Sequence, residues 1–162
     1  MIRIGFAVLM SFAGVAVAQP VSDWGDAGVW AIKVDAGNGN GCFMQRDFES
    51  GTVVRLGYVP DKKGAFLLAV NADWEQIEEG QEGSVIFDFG DSRFQGAAVG
   101  IVQDGLPGGY AFFNNPEFTS EFARRPNVKI IGGNGGEEQI SLSGSSAALG
   151  QLDLCQAEQV TE

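Results

Sequence analysis

Short runs in which apolar and polar side chains alternate recur along most of the chain. Trp30, Ile32 and Val34, for example, alternate with Ala31 and Lys33, which is the period of a half-buried β-strand. Runs of this kind, and β-branched or aromatic runs of similar length, predict about nine strands separated by turns roughly every ten residues. They lie at residues 30–34, 42–47, 52–59, 65–70, 85–89, 94–102, 110–113, 128–131 and 139–142.

The pattern predicts an all-β fold, an antiparallel β-sandwich or a partly open barrel, with two or three short helices. The segment 115–126 has the clearest helix signals, because Asn115 can cap the first turn and Pro116 suits the first helical position. Trp74 and Ile77 are three residues apart and predict a single helical turn that ends at Gly80.

The segment 140–155 is predicted to be a strand followed by a closing helix. Ile140 and Leu142 alternate with serines, and a helix with Leu149 and Leu152 on its apolar side follows Gly144. The helix ends at Cys155, whose only possible partner in the chain is Cys42. We therefore expect one long-range disulfide between Cys42 and Cys155, and leucines of this helix facing the sheet.

The first 18 residues have the pattern of a secretory signal peptide. Arg3 precedes an apolar run, and Ala16-Val17-Ala18 forms a small-x-small cleavage site. The apolar run is shorter than the roughly 20 residues that a membrane helix needs. We predict removal of residues 1–18, a single β-sandwich domain over residues 19–162, no membrane span in the mature protein, and a periplasmic or secreted location.

The balance of basic and acidic residues limits the classes of partner that the protein can bind. The chain has 10 basic and 21 acidic residues and a net charge of −11, and removal of the signal, which contains only Arg3, makes it −12. Such a surface repels nucleic acid and anionic lipid. The chain has no histidine, which removes the commonest general base and zinc ligand. We predict no catalytic residues, no metal site and no cofactor.

Two further classes of function have some support in the residues. Tyr110, Phe113 and Asn114 lie beside a glycine-proline loop, and aromatic rings there suit a carbohydrate- or small-ligand-binding module. Asp88 and Asp91 are the carboxylates that a hydrolase would pair. Core packing of the aromatic rings and turn formation by Asp91 are the simpler structural interpretations.

Three apolar motifs resemble those of small exported proteins of alphaproteobacteria, and distantly those of the invasion-associated locus B family. The motifs are Trp30-x-Ile32 followed by Cys42, Trp74-x-x-Ile77-x-x-Gly80, and the closing stretch from Ser141-Leu142-Ser143-Gly144-Ser145 to Cys155. The resemblance implies a β-sandwich in the periplasm or at the cell surface, without enzymatic activity and with a role in host contact. We therefore expect an exported, non-enzymatic protein with a structural or partner-binding role and a protein or glycan partner at the envelope. The sequence leaves its oligomeric state open.

Overall fold

The computed structural model describes residues 21–159, and one antiparallel β-sheet dominates them. Within that range the strands are β1 (Val21–Ala27), β2 (Trp30–Asp35), β3 (Gly41–Asp47), β4 (Val53–Val59), β5 (Gly64–Val70), β6 (Glu82–Asp88), β7 (Arg93–Gln103), β8 (Leu106–Phe113), β9 (Asn127–Gly132) and β10 (Glu137–Ser141). The helices are α1 (Pro116–Arg124) and α2 (Ser145–Gln159), with short 3-10 turns at Ala36–Asn38 and Pro60–Lys62.

The strand order across the sheet is β1-β2-β3-β4-β5-β8-β7-β6-β9-β10, and the sheet is not closed. The prediction of an antiparallel all-β fold with short helices and one long-range disulfide is confirmed, in the form of one continuous open sheet. Side chains link the two ends of this curled sheet. Trp30 Nε1 donates to the carbonyl of Ser143 at 3.0 Å, and Arg46 Nη1 donates to that of Ser141 at 3.1 Å.

The main core lies on the concave face of the sheet, where α1 adds two aromatic rings. Phe118 and Phe122 are both fully buried. The Phe118 ring stacks on Phe113, with centroids 4.1 Å apart, and meets Phe87 edge to face. As predicted, Asn115 caps α1 by accepting from the amide of Glu117 at 2.9 Å. Helix α1 therefore fills one end of the concave face with aromatic side chains.

Helix α2 packs on β1, β2, β3 and α1, and the disulfide fixes it there. Cys42 and Cys155 are bonded, with both residues fully buried. Leu152 is also fully buried, as the apolar spacing of the helix predicts. Gln156, next to Cys155 in the helix, accepts from the amide of Cys42 at 2.9 Å.

The structure differs from the predicted elements in three places. β1 was missed because it is an exposed edge strand with little apolar alternation. β8 begins at Leu106, after a two-residue turn in which Asp104 and Gly105 both have positive φ, so the expected loop is a hairpin. Residues 74–80 form turns, with the Ile77 amide bonded to the Trp74 carbonyl at 2.9 Å, and no helix.

Among residues 21–159, no helix is long and apolar enough to cross a membrane. The predicted signal peptide, residues 1–18, lies outside the described residues.

Candidate functional site

The two ends of the concave face are filled differently. Pairing of β5 with β8 places Ala65 opposite Phe113 and Val70 opposite Gly108, so the segment after β8 and the segment after β5 lie at opposite ends of this pair. Helix α1 follows β8 and fills its end with phenylalanine rings. The β5–β6 loop, residues 71–81, lies at the other end, where β6, β7 and β8 contribute several glycine and alanine residues.

A cleft of about 620 Å³ remains beneath the β5–β6 loop. This volume lies within the range that small-molecule sites usually have. Its floor combines buried apolar side chains with small residues, and its mouth is formed by exposed residues of β6 and the β9–β10 turn. The floor and walls include Leu67, Ala69, Trp74, Ile77, Val85, Phe87, Ala98, Gly100, Gly109, Ala111 and Ile130.

Glycine and alanine on the inward side of β6, β7 and β8 keep the cleft open. A Cβ atom added at Gly109 or at Gly83 would meet no atom within 4 Å. Neither residue has a positive φ, so the backbone does not require glycine there. A larger side chain at either position would enter open space in the cleft.

Gly100 has a different role, because the β5–β6 loop lies directly on it. The Gly80 amide donates to the Gly100 carbonyl, and the Gly100 amide donates to the Gln81 carbonyl, both at 2.8 Å. A Cβ atom at Gly100 would collide with the carbonyl oxygen of Glu78. The absence of a side chain at Gly100 therefore permits the close approach of the loop to this face of the sheet.

We expect Gly100→Ala to displace the β5–β6 loop and to lower the free energy of unfolding by about 1–3 kcal/mol, the usual cost of overpacking. Hydrogen exchange at the Gly80 amide should become faster, because its acceptor at residue 100 moves. Gly83→Ala is the matched control on the same face, where the added methyl group meets open space. Equal exchange rates at Gly80 in the two variants would contradict the close contact.

Three glutamates, Glu82, Glu137 and Glu138, line the cleft, and Glu138 is the partly buried one. It lies opposite Ile130 on β10 and is part of the cleft wall. Its Oε1 accepts from Ser50 Oγ at 2.8 Å and from Thr52 Oγ1 at 3.0 Å. Thr52 is fully buried and also accepts from Asn71 Nδ2 at 2.9 Å. The carboxylate is therefore held in position by the buried Thr52 hydroxyl and the exposed Ser50 hydroxyl.

The three ligand-binding residues predicted from sequence do not come together. Phe113 is on the concave face and packs in the aromatic core. Tyr110 is one of the residues that line the cleft; its ring lies on the outer face of β8, stacked on Phe66 with centroids 5.4 Å apart, and burial raises the pKa of its hydroxyl above the ordinary value. Asn114 is exposed in the turn before α1.

Asp88 and Asp91, the carboxylates considered for hydrolysis, each bind an arginine. Arg93 Nε donates to Asp88 Oδ2 at 2.9 Å, and Arg125 Nη1 donates to Asp91 Oδ2 at 3.0 Å. The Arg93 hydrogen bonds, with the Gly90 amide, hold the pKa of Asp88 below its ordinary value. These contacts favour the ionised form of Asp88 at the end of β6. Among residues 21–159, no group of three or more His, Cys, Asp or Glu is placed to hold a metal ion.

Comparison with protein-family models, with curated proteins and with solved structures found no match for this chain. The functional interpretation therefore depends on the cleft itself. Sequence reasoning missed the cleft, although the run Gly96 to Gly100 was a signal that something approaches this part of β7 closely.

Proposed function

We propose that the protein is an exported, non-enzymatic binding protein that holds a small, largely apolar molecule in the cleft of its concave face. The observation that carries the proposal is the contrast between the two ends of that face. Aromatic rings of α1 fill one end, whereas small residues leave about 620 Å³ open at the other. Apolar walls with few polar groups are typical of small-molecule sites.

The disulfide supports the export part of the proposal. Such bonds persist in oxidising compartments, and the Cys42–Cys155 bond joins the start of the sheet to the last helix. We place the protein in the periplasm or outside the cell, in agreement with the signal pattern at residues 1–18. In this proposal the bound molecule defines the role of the protein at the envelope, including any host contact that the family resemblance implies.

We expect Gly109→Leu to weaken binding of the neutral apolar dye Nile red more than tenfold, because the leucine side chain occupies the cleft. Dye fluorescence during titration with the protein measures the affinity. Ala97→Leu is the matched control, since Ala97 is exposed and on the outer side of the neighbouring strand. Its affinity for the dye should stay within about twofold of the unmodified protein.

Thermal unfolding of both variants separates a filled cleft from a damaged fold. The leucine at position 109 meets no atom at its Cβ, so we expect the melting temperature to stay the same or to rise. A Gly109→Leu protein that is folded and binds the dye normally would contradict the proposed site. Absence of dye binding by the unmodified protein would reject the proposed function.

A further inference from the structure

We propose that the molecule bound in the cleft carries an amino group, protonated at neutral pH, which donates to the carboxylate of Glu138. This inference rests on the proposed function and names the chemical class of its ligand: an apolar amine.

The two oxygens of Glu138 differ in what they bind. Oε1 accepts from the hydroxyl groups of Ser50 and Thr52, which fixes the side chain. Oε2 accepts no hydrogen bond within the described part of the chain, and Glu138 is only partly buried. Since an ionised carboxylate is acceptor-only, a molecule lying against Oε2 is favoured if it presents a donor.

The charge of the site selects a cationic donor. The residues lining the cleft include no lysine and no arginine, and both partners of Glu138 Oε1 are neutral hydroxyl groups. The β5–β6 loop above the cleft adds Asp73, Glu75, Glu78 and Glu79. Opposite charges attract more strongly in a partly desolvated cleft than in bulk water. A ligand carboxylate or phosphate would meet only negative charge there.

Three ligands with the same alkyl chain test the inference: decylammonium, decanol and decanoate, each below its micelle-forming concentration. Their affinities are measured by displacement of Nile red at low and high salt. We expect decylammonium to bind about tenfold more tightly than decanol, because a hydrogen bond to a charged group usually contributes enough binding free energy for a difference of that size. Decanoate should bind more weakly than decanol, and high salt should reduce the differences.

Glu138→Gln should remove most of the preference for decylammonium and leave decanol unchanged, because glutamine keeps an oxygen for Ser50 and Thr52. Glu137→Gln removes the same charge from the adjacent residue, which also lines the cleft but is exposed, lies opposite Ile131 and pairs with Lys129. The Glu137→Gln variant should retain at least half of the preference for decylammonium over decanol.

The outcomes separate the two proposals. Equal affinities for the three ligands in the unmodified protein would overturn the amine inference and leave the apolar cleft intact. Equal effects of Glu137→Gln and Glu138→Gln would also overturn it, since general surface charge would then explain the preference. Failure of all three ligands to displace the dye, or of the dye to bind, would reject the proposed function itself.

Discussion

Replacing Cys42 with serine is expected to lower the free energy of unfolding by about 4–5 kcal/mol, because the bond closes a loop of more than a hundred residues in the unfolded chain. The sequence separation of the two cysteines is 113. Both are fully buried, so the variant also places a hydroxyl group and an unpaired thiol in an apolar core. Urea denaturation of the oxidised proteins measures the loss.

Cys155→Ser should be destabilised by a similar amount, and the double variant should lose little more, because each change removes the same bond. In the unmodified protein, thiol alkylation after denaturation without reduction should label neither cysteine. Additive losses in the double variant, or labelled thiols in the native preparation, would contradict the pairing.

Leu152→Ala is expected to lower the free energy of unfolding by about 2–5 kcal/mol, the usual cost of removing a fully buried leucine side chain. Leu152 is 0 % exposed, and it packs in the main core together with Ala148 and Cys155. Helix α2 would lose its central contact with the sheet. Thermal and urea denaturation should both show the change.

Leu154→Ala is the matched control in the same helix. Leu154 is 55 % exposed, and substitutions at such positions usually change stability by no more than roughly 0.5 kcal/mol. If the helix instead used its leucines to bind a partner, Leu152→Ala would leave the unfolding midpoint unchanged. Equal unfolding midpoints for Leu152→Ala and Leu154→Ala would therefore reject the role of helix α2 in stabilising the fold.

Local patterns were sufficient to predict most of the fold. Alternation identified β2, because Trp30, Ile32 and Val34 all face the core. Asn115 and Pro116 gave the start of α1 correctly, since helix capping depends on only a few neighbouring residues. The disulfide was predicted because the chain has two cysteines and an N-terminal pattern typical of exported proteins. The strand and the helix start are each encoded within a short stretch, and the disulfide partner follows by elimination.

The set of residues that line the cleft depends on the pairing register between strands that are distant in sequence. Local sequence patterns do not reveal that register. Tyr110 and Phe113 are three residues apart in one strand, so their rings face opposite sides of the sheet, which their spacing in a loop-flanked stretch did not indicate. Glu138 reaches Ser50 and Thr52 only because the sheet curls and brings β10 beside the β3–β4 turn. Gly109 opens into the cleft because, among residues 21–159, no helix covers that end of the concave face.

Alanine methyl groups on the two faces of the sheet offer the most direct test of the proposed cleft. In a protein with ¹³C-labelled alanine methyl groups and otherwise deuterated side chains, nuclear Overhauser contacts to unlabelled decanol report which face binds it. We predict contacts to Ala69, Ala98 and Ala111, which line the cleft, and none to Ala97, which is exposed on the other face. Contacts at Ala97 without contacts at Ala98 and Ala111 would contradict the assignment of the cleft as the binding site.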